Sequence, residues 1–252
     1  MKIIIALTTI ALGLLGRSEG LAQSTAALDK MPAALETRFA LSALPPALRG
    51  EAAVYLLDPA TGYHLGRQGT NGLACLVERT VWEWAEHRND IYIPACYDAA
   101  GTKAHLRVMM DVAALRAQGM SAEAIKSEIE SRYRNRIYAA PERAGLSYMV
   151  APVFRARAAA FGPDTTMYTV SMPHLMFYAP NLKNEDIGAR PSLADHASLQ
   201  WPFIDRQGNA EQTYVIQLVG EAEKAKILAD EKALLNDLCT YRNVLCLPEI
   251  HK

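Results

Sequence analysis

Four cysteines, Cys75, Cys96, Cys239 and Cys246, constrain this chain more than any other feature, because the compartment implied by its first residues makes them cross-links. The chain opens "MKIIIALTTIALGLLGRSEGLAQS". Lys2 supplies a positive start, Ile3 to Leu15 form an apolar stretch too short to span a bilayer, and Gly20-Leu21-Ala22 puts small residues where a signal peptidase reads. Residues 1–22 are therefore expected to be a secretory signal, leaving the rest of the chain secreted or periplasmic. An even cysteine count in an exported chain favours disulfides, and four cysteines allow three pairings. Sequence proximity favours Cys75–Cys96 and Cys239–Cys246. Neither pair has the CxxC-type spacing of a zinc site, so no metal is expected.

Charge narrows the partners. The 26 basic and 27 acidic side chains lose Lys2, Arg17 and Glu19 with the signal, leaving a slightly acidic remainder with no basic stripe and no arginine cluster. Nucleic-acid binding has no footprint in such a distribution. No later apolar segment is long enough to cross a membrane. The length fits one domain able to bury a substantial core.

Hydrophobic periodicity predicts α+β architecture with a mainly antiparallel sheet, an N-terminal helix, one central amphipathic helix and a C-terminal helix. Leu28, Met31, Leu35 and Phe39 recur at helical spacing, and "LPPALRG" then breaks the pattern. Residues 23–50 read as a helical arm, or a helix on the outside of a single α+β domain over 51–252. Strands are expected in "AAVYLLD", "YHLGRQGTNG", "LACLVER", "DIYIPACYD", "LSYMVAPVF", "MYTVSMPHLMFYAP" and "TYVIQLVG". Gly66, Gly69 and Gly72 mark bulges or close backbone approaches. Ser121 is placed to cap the central helix, with Met120 and Ile125 as a hydrophobic staple. "EAEKAKILADEKALLNDLC" closes the chain as a helix with Ala225, Leu228, Leu235 and Leu238 near one face. Asn181 to Pro202 is a long polar connection, expected to rim any pocket at that end of the sheet.

No stretch fits a dinucleotide fingerprint or a phosphate-binding loop, so no cofactor is expected. Four polar residues sit within or beside apolar runs: Asn71, Arg79, Tyr148 and His174. Burying them requires partners, which they find among themselves and nearby backbone, or in a ligand seated on a concave site lined by Met149, Met172, Met176 and Phe177. His174 is expected in a central strand as a neutral ring, sharing its face with Met172, Met176 and Tyr178.

"MPHLMFYAP" resembles the histidine strand of NlpC/P60 and CHAP-type cysteine peptidases. The resemblance implies a catalytic His174 working against a cysteine nucleophile at a helix start, for which Cys75 is the upstream candidate. Cys96 is a competing partner for that thiol. Three roles thus follow from the residues. The first is an exported, disulfide-stapled domain binding a small molecule, peptide or envelope component. The second is a hydrolase using Cys75 and His174. The third is a structural protein docking through its N-terminal helix.

Overall fold

The computed structural model describes residues 27–158, 165–192 and 194–248; the expected signal sequence lies outside them. The fold is α+β and mainly antiparallel. Eight strands form one sheet in the order β2-β1-β3-β4-β5-β8-β10-β9: β1 (Ala53–Asp58), β2 (Gly62–Arg67), β3 (Ala74–Glu78), β4 (Ile93–Tyr97), β5 (Leu146–Met149), β8 (His174–Tyr178), β9 (Phe203–Arg206) and β10 (Thr213–Leu218). Only the β1–β3 pairing is parallel. β6 (Phe154–Arg157) and β7 (Met167–Val170) make a separate two-stranded ribbon. The run "MYTVSMPHLMFYAP", expected as one strand, is thus two strands in different sheets. Pro173 cannot donate to a ladder, and the chain changes sheet there.

One face of the β1–β3–β4 half is covered by α1 (Ala33–Ser42) and α7 (Lys232–Tyr241). α1 begins at Pro32, whose carbonyl accepts from the Leu35 and Glu36 amides, and its Glu36, Phe39 and Ala40 face inward at helical spacing. Phe39, Ala43 and Leu44 are wholly buried, so this segment belongs to the core and is not an outlying arm. α2 (Pro46–Arg49) follows, and Arg49 pairs with Glu231 at the break between α6 (Glu221–Asp230) and α7. That break divides the expected single C-terminal helix. Leu234 and Leu238 carry its buried side, Leu235 packs at the margin and α6 buries no residue fully.

Cys75 and Cys96 lie directly opposite one another on β3 and β4 and are bonded beneath α1. Cys239 and Cys246 are bonded across the end of α7. Arg79 and Arg242 both hold Asp29 at 2.9 Å, and Arg79 also donates to the Ile91 carbonyl and stacks 3.9 Å over Tyr92. This clasp ties the N-terminal segment to both ends of the core.

The opposite face carries a helical layer of which the periodicity disclosed only the last helix. α3 (Ala99–Gly101) is capped by the Asp98 carboxylate and continues through a π-helical turn, Thr102–Leu106, into α4 (Arg107–Ala117). α5 (Ala122–Arg134) packs on α4; Ser121 accepts from the Ala124 amide at 3.2 Å, and Met120 joins Ile125 in one apolar cluster, as cap and staple require. This layer covers only the β1–β3–β4 half. Beyond it, the same face of β5, β8 and β10 looks into open space. Among the described residues, no helix is long and apolar enough to cross a membrane.

Candidate functional site: a cavity on the sheet

Alternation fixes the floor of that space. Residues two apart share a face, so Ser147 and Met149, His174 and Met176, and Tyr214, Ile216 and Leu218 all point the same way. The register then aligns them across strands, pairing Ser147 with Met176 and Met176 with Ile216, while His174 lies between Met149 and Leu218. The π-helical turn supplies one wall with His105, and the 3-10 turn Trp82–Trp84 another. The β6–β7 ribbon and Leu199 and Gln200 from the long connection enclose the rest. The result is a cavity of about 820 Å³.

His174 is 3 % exposed and lines this cavity. Its Nδ1 lies 2.7 Å from the Met172 carbonyl, which can only accept, so the proton is on Nδ1 and Nε2 carries a lone pair. Burial lowers its pKa, so the ring is neutral at pH 7. His105, presented by the π-helical turn, is 2 % exposed, and the Gln207 side chain lies beside it; among the described residues neither buried ring nitrogen has a hydrogen bond of good geometry. Three tyrosines surround it, with ring centroids 6.0 Å away for Tyr97, 5.2 Å for Tyr178 and 6.0 Å for Tyr214. Burial drives the His105 pKa down to about 4.

Three carboxyls line the same space. Glu78 ends β3, Glu83 sits in the 3-10 turn, and Asp205 lies on β9 opposite Tyr214 in the register. Glu83 accepts from the Gly208 amide at 3.1 Å and Asp205 from the Arg206 amide at 2.8 Å. Glu78 is 7 % exposed and, among the described residues, makes no hydrogen bond or ion pair. Burial pushes Glu83 up to about 7, with neighbouring Asp205 adding to the rise, and Asp205 up to about 6. Glu78 is driven well above the carboxylate range by burial and then by Glu83. Glu83 and Asp205 are hemmed in by protein yet keep surface of their own, as expected of groups that face an internal void and not bulk water.

Ser147 also faces the cavity, but its hydroxyl is committed. Tyr178 donates to the Asp98 carboxylate at 3.1 Å, which leaves Ser147 to donate to the Tyr178 oxygen at 2.8 Å. Gly145 makes this possible, since a Cβ there would collide with both Asp98 and the Tyr178 ring.

The structure does not bring Asn71, Arg79, Tyr148 and His174 together. Asn71 bridges the Leu48 carbonyl and the Leu73 amide in the β2–β3 turn. Arg79 belongs to the Asp29 clasp, and Tyr148 points to the opposite face of β5, against the α1 side of the core. Of the proposed lining, Met149, Met172 and Met176 face the cavity, whereas Phe177 faces away and is 43 % exposed. Cys75 is bonded to Cys96 on the α1 side of the sheet, away from His174, so no thiol–imidazole pair is assembled. The residues that sequence reasoning missed are His105, Glu78, Glu83 and Asp205. Glu78 alone carried a legible signal: it continues the inward alternation of Ala74 and Leu76 into a charge. Among the described residues, no group of three or more His, Cys, Asp or Glu side chains is placed to hold a metal ion. Comparison with protein-family models, with curated proteins and with solved structures finds no match.

Proposed function

We propose that this chain is an exported, disulfide-stapled domain that binds a small molecule in the cavity on the β5–β8–β10 face. The cavity itself carries the reading: about 820 Å³ of space is the size of sites that bury a compact organic ligand, typically roughly 300–1,000 Å³. Its lining has the composition of such sites, apolar for the most part (Met149, Met176, Phe154, Ile216) with a few convergent polar groups. Two disulfides suit an oxidising compartment. A second reading, acid–base chemistry on the bound molecule, is favoured by Glu83 and Asp205 with pKa values of about 7 and 6, close to the working range of a general acid and base. Recovery of the added ligand intact or altered separates the two.

The binding test uses an uncharged aromatic probe, 1-naphthalenemethanol, followed by calorimetry and by quenching of Trp84, which lines the cavity. Saturable one-to-one binding is expected. Val170→Phe and Leu218→Trp each fill part of the space from a half-buried lining position and should weaken binding by about ten-fold or more without lowering the melting temperature by more than a few degrees. Binding that survives both substitutions at wild-type affinity places the probe elsewhere and refutes the reading.

A further inference from the structure

We infer that the ligand is an organic cation: an ammonium group on an apolar body, its charged head held among Glu78, Glu83 and Asp205. This rests on the small-molecule reading above and specifies its chemistry. Three carboxyls line one space, and among the described residues none of them forms a salt bridge. The basic groups that share the lining are engaged or outward. Arg157 pairs with Glu86 and stacks 4.6 Å from the Trp84 ring centre, Lys224 lies 3.7 Å from Glu221, and Arg206 is exposed.

One side chain more than nine-tenths buried looks into this space without a partner: among the described residues Glu78 makes no hydrogen bond or ion pair. Buried polar groups in folded proteins are almost always satisfied, so Glu78 is a place where a ligand supplies what the fold does not. The required complement is a donor that carries positive charge. Ammonium N–H groups donate to carboxylate oxygens, while tyrosine rings such as Tyr97 and Tyr214 in the lining attract the cation through their ring quadrupole. An anionic ligand would meet three carboxyls, against which Arg206, exposed at the margin, is the one lining cation without an ion pair among the described residues. A neutral ligand would leave the carboxyls protonated and Glu78 unpaired.

The test is a matched pair of probes on the full mature protein, 1-naphthylmethylamine against 1-naphthalenemethanol, titrated by calorimetry at pH 7.5. The amine is expected to bind at least about ten-fold tighter, a preference of the size of one partly buried charge pair. That ratio should collapse towards unity in Glu78→Gln and in Glu83→Gln, each an isosteric exchange that removes the charge. Proton counting on the unmodified protein makes the answer independent of how the variants fold. Amine binding at pH 6.5, measured in two buffers of different ionisation enthalpy, should release protons as the carboxyls ionise against the cation, whereas alcohol binding should not. Equal affinity for the two probes, or amine binding without proton release, overturns the cation assignment and leaves the binding cavity standing. Failure of both probes to bind overturns the two together.

Discussion

Replacing Cys75 and Cys96 together by alanine is expected to cost about 3–5 kcal/mol of unfolding free energy, and the same exchange at Cys239 and Cys246 about 2 kcal/mol. Both pairs restrict the unfolded chain, and the restriction grows with the loop closed: 21 residues separate the first pair and 7 the second. Packing adds to the difference. Cys75 and Cys96 are wholly buried among Phe39, Val54 and Val77, so removing two sulfurs leaves a void in the core as well as a longer unfolded chain. Cys239 and Cys246 are only half-buried at the end of α7. The same contrast in burial predicts the order of reduction. Under mild dithiothreitol in the folded state, Cys239 and Cys246 should alkylate first, and Cys75 and Cys96 only on global unfolding. Urea titration of the two double variants checks the energies, and equal midpoints would refute the ranking. Mass mapping of the first alkylated peptide checks the order.

What could be read from the sequence follows from how local its physics is. β1, β3 and β4 are short, mostly apolar runs bounded by turn signals, and α5 announces itself through Ser121 and the Met120–Ile125 staple. The orientation of His174, Met176 and Tyr178 on one face of β8 follows from the two-residue period alone. The α3–α4 helix was not legible because it packs between the sheet and α5, buries residues on several sides and so shows no clean apolar stripe. Its π-helical turn, which aims His105 into the cavity, has no sequence signature of its own. β9 is four residues long and ends in Asp205-Arg206, which reads as the close of a polar loop. The site was illegible for a related reason. Glu78, Glu83 and Asp205 lie on three separate elements, and only the closing of the β6–β7 ribbon and the long connection over the sheet turns three scattered carboxyls into neighbours.

Those carboxyls, with Glu36, set the pH at which the fold is most stable, and the expected optimum is acidic. Glu36 is 3 % exposed within α1 and accepts from the Leu57 amide at 2.9 Å; burial pushes its pKa from 4.5 to about 7. Glu83 also stands at about 7 and Asp205 at about 6, each above its unfolded value. A carboxyl whose folded pKa is raised binds its proton more tightly when folded. Its contribution to stability is therefore full below the unfolded pKa and is lost as pH rises through the folded one. Between pH 8 and 6.5 these groups act almost unopposed, so stability should climb on acidification. Below 6.5 the buried His105 and His174 work the other way, because the unfolded chain gains protons that the folded rings refuse. Below about 4, Asp29 and Asp90 add to the loss. Although partly buried, both are held under their ordinary values by arginines, Asp29 by Arg79 and Arg242, Asp90 by Arg88 and Arg155. Four raised carboxyls outweigh two histidines until the unfolded carboxyls take up protons themselves, so the unfolding midpoint in urea should peak at about pH 4–5. Glu36→Gln isolates one contributor, since the amide oxygen can still accept from Leu57 but nothing titrates. It should exceed wild type by on the order of 2 kcal/mol at pH 8 and match it at pH 5. A wild-type midpoint that falls steadily from pH 8 to pH 6 would show that these carboxyls ionise freely, and that the cavity is wetter and more open to solvent than its enclosing walls imply.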